Sequence, residues 1–262
     1  MYERCLKFLL MKKIVLLSFG IILLSYLSFA QSNVKDSTIV IPSIYGEFAY
    51  QFPGGDLVNE FSSNGNVGGG FMIKTKRNFV FGLEYNYLFG NDVKNETTLL
   101  KDISTSNGYV ISSAGTYVDI HMYENGTFLS AKFGKIFNVL APNKNSGIII
   151  LGGLGFFQHK IRIDVAENNA YNLDGDYKRG YDRLTYGPGI SEFIGYIYYG
   201  NSKLVNFFFG FEFVQAWTKN RRDFNFDTMS KDDSNRFETL SGFKVGWIIP
   251  IFNRAPKDFY YY

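Results

Sequence analysis

The strongest constraint on the fold is a two-residue alternation that recurs along the chain. In the segment Phe79–Phe89, every second residue is aromatic or leucine, whereas the residues between them include Gly82, Glu84 and Asn86. The segment Phe243–Phe252 alternates in the same way, with Lys244 on its second face. A period of two is the side-chain repeat of a β-strand, and about 9–11 tilted residues cross a bilayer. These segments therefore predict membrane-spanning strands with one apolar face.

Segments of this kind recur, and the connectors between them alternate in length. The predicted strands are Ile44–Phe52, Val67–Thr75, Phe79–Phe89, Thr127–Phe137, Gly147–Val165, Pro188–Tyr199, Leu204–Gln215 and Phe237–Phe252. The short connectors are Lys76–Asn78, Ala141–Ser146 and Gly200–Ser202, and the long ones are 53–66, 90–125, 164–186 and 217–236. Short periplasmic turns, long extracellular loops and an even strand number are typical of bacterial outer-membrane barrels. The pattern predicts an all-β, transmembrane, antiparallel up-and-down barrel of eight strands.

Ten strands are the alternative, with Tyr117–Tyr123 and a segment near Gly108–Ser112 as the additional pair. We interpret Tyr117–Tyr123 instead as an extracellular hairpin arm, because Glu124-Asn125-Gly126 is a hairpin turn signal. In a soluble sandwich or lipocalin-like barrel, the aromatic faces would have to point inward and the polar faces outward. With 27 Phe and 19 Tyr, so many rings would be difficult to pack inside a small barrel, whereas lipid imposes no such volume limit.

The N-terminal segment predicts export. Met11-Lys12-Lys13 is a short basic region, an apolar run follows, and Ala30 ends a small-residue cleavage pattern. We expect a signal peptide over 1–30 with Met11 as the start, a periplasmic lead over 31–43, a barrel over 44–252 and a periplasmic tail over 253–262. Cleavage would remove Cys5 and the whole formal charge of +3, so we expect no disulfide and no nucleic-acid partner.

Four short motifs carry a resemblance to known barrels. They are Pro53-Gly54-Gly55-Asp56-Leu57, Gln158-His159-Lys160-Ile161-Arg162, Asn220-Arg221-Arg222-Asp223 and Ala255-Pro256-Lys257-Asp258-Phe259-Tyr260-Tyr261-Tyr262. The chain resembles the small eight-stranded OmpA/OmpX-like class of Gram-negative bacteria. More closely, it resembles an outer-membrane barrel family of the Bacteroidota that has no established reaction or ligand. The resemblance implies the barrel fold and the cell outer membrane as the location.

The two faces of the predicted strands assign residues to lumen and lipid. The predicted lumen charges are Glu47, Lys74, Glu84, Lys132, Glu192, Glu212 and Lys244, with Lys160 and Arg162 as weaker candidates. The predicted lipid-facing residues are Phe79, Phe81, Phe207, Phe209, Phe211 and Trp247. Buried charges must be paired, so a salt-bridge network that fills the lumen is the main expectation. A narrow gated pore or a proton or ion path is the alternative.

Residues for catalysis or metal binding are sparse. Ser112 or Ser113, His121 and Asp119 are triad types on one arm, without a recognisable signature. A zinc site would require His121 and His159 to meet, with surface histidines as the simpler interpretation. Asn172-x-Asp174-x-Asp176 has calcium-loop spacing, but Tyr177 and Arg183 replace the Gly and Glu that an EF-hand requires. We therefore expect no enzyme, no metal and no cofactor.

The expected function is that of an integral outer-membrane barrel with a structural or interaction role. It would act through its extracellular loops or as a subunit of a larger outer-membrane complex. A narrow ion or solute channel is the first alternative, and an outer-membrane lipid-modifying enzyme is the second. The expected partners are outer-membrane lipid and lipopolysaccharide, the barrel-assembly machinery during insertion, and other outer-membrane proteins.

Overall fold

Long antiparallel strands follow one another around a ring in the computed structural model, which describes residues 37–112, 114–165, 170, 173–200 and 204–251. The strands are β1 (Ile41–Gly55), β2 (Asn64–Lys74), β3 (Phe79–Gly90), β4 (Ile120–Phe137), β5 (Gly147–Val165), β6 (Thr185–Tyr199), β7 (Asn206–Asn220) and β8 (Asn235–Pro250). Each strand pairs with the next, and β1 pairs with β8 to close the ring. The described residues thus confirm an eight-stranded up-and-down barrel, and the ten-stranded alternative is wrong.

Short helical elements occur only in the connections between strands, within the described part of the chain. One α-helical turn, α1, spans Glu96–Leu99, and 3₁₀ turns span Leu57–Asn59, Lys101–Ile103 and Gly175–Gly180. The first 3₁₀ turn lies in the long connector between β1 and β2. Among the described residues, no helix is both long and apolar enough to cross a membrane.

The hairpin expected at Glu124-Asn125-Gly126 is absent, because β4 runs straight through this segment. Glu124 pairs with Gly90 of β3 on one side and with Ile161 of β5 on the other. Neighbours on both sides satisfy the backbone groups, so the local preference of Asn-Gly for a turn is overridden. The strand begins at Ile120, and Ile111 and Tyr117 form an isolated bridge in the loop before it.

The alternation places apolar residues on the outer surface, whereas charged and polar residues lie inside together with apolar ones. A soluble barrel would instead present polar residues outside. Leu83, Phe243 and Leu154 point outward and are 62%, 68% and 72% exposed. Inward residues such as Glu84 and Lys244 are buried. A closed ring satisfies every ladder hydrogen bond, so apolar side chains on its outer surface can face hydrocarbon. The chain is therefore built as a transmembrane barrel.

Two bands of aromatic side chains, which we term the aromatic girdles, mark the edges of the outer surface. Near the long loops they include Tyr186, Trp217 and Phe237, and near the short turns they include Tyr198, Phe207 and Trp247. The indole nitrogen of Trp247 donates a hydrogen bond to the carbonyl oxygen of Leu204 at 2.7 Å, in the turn between β6 and β7. Aromatic girdles of this kind lie at the two membrane–water interfaces. Short turns are periplasmic in bacterial outer-membrane barrels, so the end that carries Tyr198, Phe207 and Trp247 is the periplasmic end.

The barrel belongs to a unit that comprises Val34–Pro250. Residues 1–36 and 252–262 lie outside the described residues, and so do the predicted signal peptide, the first six residues of the predicted lead and the predicted tail. The first strand begins at Ile41, within the stretch predicted as a periplasmic lead.

Replacing Leu83 by arginine should lower the free energy of unfolding by about 2–4 kcal/mol, because a cation would face hydrocarbon near mid-membrane. Urea unfolding of the barrel in lipid vesicles, followed by tryptophan fluorescence, measures the change. Leu140→Arg is the matched control, since Leu140 is 86% exposed in a periplasmic turn and its replacement should cost less than about 0.5 kcal/mol. Equal losses in both variants would contradict the lipid-facing assignment of β3.

Candidate functional site

A cluster of buried charges spans the middle of the lumen. The ammonium of Lys244 lies 2.8 Å from Glu47 Oε1, 3.1 Å from Glu84 Oε1 and 2.8 Å from Glu212 Oε2. Lys132 lies 3.1 Å from Glu84 Oε1 and 2.8 Å from Glu212 Oε1. These five side chains, which we term the lumen network, come from β1, β3, β4, β7 and β8. The network therefore ties opposite walls of the barrel together.

Neutral side chains complete the hydrogen bonds of the lumen network. The Tyr45 hydroxyl donates to Glu84 Oε2 at 3.0 Å, and the Asn86 amide donates to Glu84 Oε1 at 2.7 Å. Lys132 also donates to the Ser191 hydroxyl at 2.8 Å. Buried charges are tolerated only when pairing and hydrogen bonds offset their dehydration. The network meets that condition for Glu84 and for both lysines.

Glycines make room for the lumen network on two strands that contribute no charge to it. A Cβ at Gly153 of β5 would clash with the Ser191 hydroxyl and with the stem of Lys132. A Cβ at Gly70 of β2 would lie 2.8 Å from the Tyr45 hydroxyl. Close approach of this kind excludes larger residues, so the contents of the lumen favour glycine at these two inward positions.

The structure separates the residues that the sequence assigns to one lumen cluster. Glu47, Glu84, Lys132, Glu212 and Lys244 meet in the lumen network. Lys74 also points inward, but at the periplasmic end, where it donates to Asn145 Oδ1 at 2.8 Å and to the carbonyl oxygen of Ile39 at 3.2 Å.

Glu192 is the correction to the predicted lumen set. It points outward from β6 and is exposed, because it shares its face with Ile190 and Ile194. Lys160 and Arg162 of β5 also point outward, and Arg162 pairs with Asp164 at 2.7 Å. The inward side of β6 at this level is supplied by Ser191 and Phe193 instead. The predicted lipid-facing residues Phe79, Phe81, Phe207, Phe209, Phe211 and Trp247 all lie on the outer surface.

Above the lumen network, the extracellular mouth is filled by an apolar cluster that sequence reasoning missed. We term it the loop core. Its main loop members are Leu57 and Phe61 of loop 1 (56–63), Val93, Leu99, Leu100, Val110 and Val118 of loop 2 (91–119), and Ala170, Leu173 and Tyr181 of loop 3 (166–184); Phe226 of loop 4 (221–234) packs against them. Inward strand residues such as Leu88, Phe157 and Leu240 form its floor. Burying one such side chain stabilises the fold by about 1.5–3 kcal/mol. The loops therefore pack against one another through a shared apolar core.

Ion pairs and hydrogen bonds tie the loops to one another around the loop core. Glu60 of loop 1 accepts hydrogen bonds from Arg236 at 2.7 Å and from Arg183 at 3.4 Å. Arg183 also pairs with Asp227 of loop 4, and Arg222 binds Asp182 of loop 3 through two hydrogen bonds. Loop 2 joins loop 1 through main-chain contacts, among them Ser62 N to Asp92 O at 3.2 Å. We term the loop core together with these ties the loop cap.

A histidine lies buried at the base of the loop cap. His159 is fully buried, and its Nε2 lies 2.9 Å from Glu238 Oε1. Phe61 of the loop core meets the imidazole edge-on, with 5.6 Å between ring centroids. Glu124 lies in the same region, where the Asn64 amide donates to both of its carboxylate oxygens. From the sequence, His159 is interpreted as a surface residue and Glu124 as part of a turn, and both interpretations are wrong.

The residues proposed from sequence for catalysis or calcium do not assemble in the described part of the chain. His121 lies 3.3 Å from Asp119, but both are exposed, and the Ser112 hydroxyl pairs with Thr116 at 2.8 Å. Asp174 accepts a hydrogen bond from the amide of Gly175, and Asp176 pairs with Arg179. No group of three or more metal-ligand side chains with metal-binding geometry is found among the described residues. Ser113 and Asn172 lie outside those residues.

Replacing Lys244 by methionine should lower the free energy of unfolding by about 3–5 kcal/mol, because Glu47 would lose the ammonium that it binds and Glu84 and Glu212 would retain only Lys132. Urea unfolding of the reconstituted barrel measures the loss. The double variant Lys244→Met, Glu47→Gln tests the cause, since Glu47 binds Lys244 at 2.8 Å and loses its charge in that variant. The double variant should recover part of the loss, and an equal or larger loss would contradict the network interpretation.

The loop cap should loosen in acid between about pH 4 and pH 2. Partial burial opposes ionisation of Asp232, but hydrogen bonds from Ser234 and Arg236 outweigh it and hold the pKa of Asp232 at about 2. A carboxyl group with a lowered folded-state pKa stabilises the fold above its unfolded pKa, and the contribution is lost as pH falls through the folded value. Pepsin cleavage of loop 4 at pH 4 and pH 2, normalised to an unfolded peptide, should therefore accelerate at pH 2.

The variant Asp232→Asn should show fast cleavage at both pH values, because the ion pair with Arg236 is absent throughout. Asp223→Asn, an exposed change in the same loop, is the control and should behave as the unaltered chain does. A cleavage rate that is independent of pH in the unaltered chain would refute the role of Asp232.

Comparisons with known proteins find similarity in structure only. No protein-family model and no curated protein matches the chain. Similar solved structures include Ail, the attachment invasion locus protein of Yersinia pestis, with 10% identity, a TM-score of 0.43, and coverage of 80% of this chain and 99% of that one. Neisserial surface protein A has 11% identity, a TM-score of 0.37 and coverage of 79% and 96%. OprG from Pseudomonas aeruginosa has 11% identity, a TM-score of 0.35 and coverage of 82% and 99%.

The location of the chain follows from its own surfaces and not from these distant similarities. The ring of strands is closed, the charged side chains of the lumen network lie inside it, and the exterior carries an apolar belt between two aromatic girdles. Closed barrels of this kind, with short turns at one end and long loops at the other, are the β-structures that span bacterial outer membranes. With these properties, the chain is an outer-membrane β-barrel protein.

Proposed function

We propose that the protein is a non-conducting outer-membrane barrel that acts as an interaction protein through its outer surfaces. The observation that carries the proposal is the closure of the lumen at two levels. The lumen network crosses the middle of the barrel, and the loop core fills the extracellular mouth. A barrel without an open lumen offers its loop cap and its lipid-facing wall as the surfaces available for function.

The space left beside the lumen network supports this proposal over a channel. The cavity there has a volume of about 20 Å³ and is lined by apolar residues such as Met72, Ile149 and Phe208 as well as by the network. A cavity needs roughly 10–15 Å³ to hold one water molecule. A single isolated water does not make an aqueous path, and a second barrier of packed Phe61 and Leu57 lies above it.

Catalysis has no part in the proposal. The exposed pair of His121 and Asp119 has the residue types of a general base and its orienting group. Within the described residues, however, the Ser112 hydroxyl is held by Thr116 in a different contact. A nucleophile, a base and an orienting group must converge for covalent catalysis.

Planar-bilayer recording of the purified, folded barrel tests the closed lumen. The unaltered protein should show no single-channel steps. The double variant Glu84→Gln, Glu212→Gln should also be silent, although it weakens the lumen network, because the loop core remains as a second barrier. Heat-modifiable mobility on a gel verifies that both samples are folded.

Single-channel steps in the unaltered protein would overturn the proposal and favour a narrow channel. Steps that appear only in the double variant would also count against the proposal in its present form. They would show that the loop core does not seal the mouth and that the lumen network acts as the gate.

A further inference from the structure

The outer wall of the barrel carries a carboxylate, that of Glu192, at a depth where lipid hydrocarbon is expected. Glu192 points outward from β6 and is exposed. It lies midway in sequence between Tyr186 and Tyr198, which belong to the extracellular and periplasmic aromatic girdles. With a rise of about 3.3 Å per residue and a strand tilt of about 40°, Glu192 lies roughly 15 Å from each aromatic girdle along the membrane normal. That position is the middle of the membrane.

The barrel itself does not neutralise this carboxylate. The amide of Gln215 on β7 approaches both oxygens of Glu192 at 3.4 Å, which is long for such a hydrogen bond. Gln215 is neutral, and among the described residues no ion pair includes Glu192. An ionised group facing hydrocarbon is costly, and polar residues at membrane depth are usually turned towards a partner or a cavity.

The surroundings of Glu192 have the form of a contact surface. Gly152 of β5 lies directly opposite Glu192, and a Cβ there would meet nothing nearer than the carbonyl oxygen of Phe133, at 3.9 Å. This glycine leaves a notch beside the carboxylate. Around the notch lie Ile150, Leu154 and Ile194, which are 46%, 72% and 56% exposed. We term Ile150, Gly152, Leu154, Glu192, Ile194 and Gln215 the Glu192 face.

Charge complementarity decides what kind of partner suits the Glu192 face. Lipid tails would leave the carboxylate unpaired. A second copy of this chain in a symmetric contact would bring a second carboxylate to the same depth. Its outward Lys135 is not at that depth, because its ammonium lies 5.1 Å from the centre of the Phe79 ring, next to a periplasmic turn. A cationic side chain from a different membrane protein is the complement.

We propose that the Glu192 face docks a second integral outer-membrane protein, which inserts a lysine or arginine side chain into the notch at mid-membrane depth. This inference rests on the proposed interaction function and names the surface and the chemistry of the partner. The partner's cation meets Glu192, with Gln215 as a neighbouring acceptor. Its apolar side chains pack on Ile150, Leu154 and Ile194.

Photocrosslinking in the native outer membrane tests the proposal. A benzophenone amino acid replaces Leu154 in the full chain, which leaves Glu192 intact, and a second chain carries it at Phe71 on β2, across the ring. Irradiation should join the Leu154 probe to a second membrane protein and give at least tenfold less product from Phe71. The crosslinked peptide, identified by mass spectrometry, should lie in a membrane-spanning segment that contains a lysine or arginine.

Two variants separate the charge from the apolar packing. Glu192→Leu should reduce the crosslinked product at least tenfold, and it should still fold, because leucine is compatible with lipid. Val67→Ile, an uncharged change on the outward face of β2, lies outside the Glu192 face and should leave the yield within twofold. Replacing the partner's cation by leucine should remove the product as Glu192→Leu does, and this loss is required before any adduct counts as support.

Three results would overturn the proposal: no protein adduct from Leu154, an adduct only to a second copy of this chain, or an unchanged yield in Glu192→Leu. Heat-modifiable mobility establishes that each variant is a folded barrel. Bilayer recordings are independent of this surface, so a conducting lumen and an unoccupied Glu192 face would be recognised as separate failures.

Discussion

The pairing of β1 with β8 is the constraint on which the rest of the structure depends. Ser43 pairs with Pro250 at one end of this seam and Gly55 with Glu238 at the other. Without the seam, both edge strands would expose backbone donors and acceptors to hydrocarbon, where water cannot satisfy them. Once the seam is closed, each of the eight strands has one face towards lipid, which carries apolar side chains, and one face towards a narrow interior. The contents of that interior follow from this geometry.

The narrow interior is occupied differently along its length. Lys74 lies at the periplasmic end, the lumen network lies at the middle, and the loop core fills the mouth. The network is polar because inward residues of opposite walls approach one another closely enough to pair. The mouth is apolar because the long loops bring enough leucine, valine and phenylalanine to exclude water. The lumen network and the loop core therefore close the lumen by different interactions.

Much of the fold could be predicted from sequence, because a strand between lipid and lumen must alternate. Phe79–Phe89 and Gly147–Val165 show this, since their predicted bounds agree with the strands to within one residue. Glu124 was misplaced because Asn-Gly signals a turn locally, whereas strand pairing is decided by distant neighbours. Glu192 was misplaced because a charge was expected to avoid lipid. The loop core has no periodicity, so only the structure shows that Leu57, Phe61 and Leu99 meet.

The loop cap also has a consequence for the order of assembly. Glu60 and Arg236 are separated by 176 residues, yet they meet at 2.7 Å beside the seam between the first and last strands. Contacts between such distant residues form late, because the chain between them must first be ordered. The cap can form its full set of bonds only after the last strand has taken its place. A completed loop cap, which is exposed at the cell surface, thus shows that the barrel beneath it has closed.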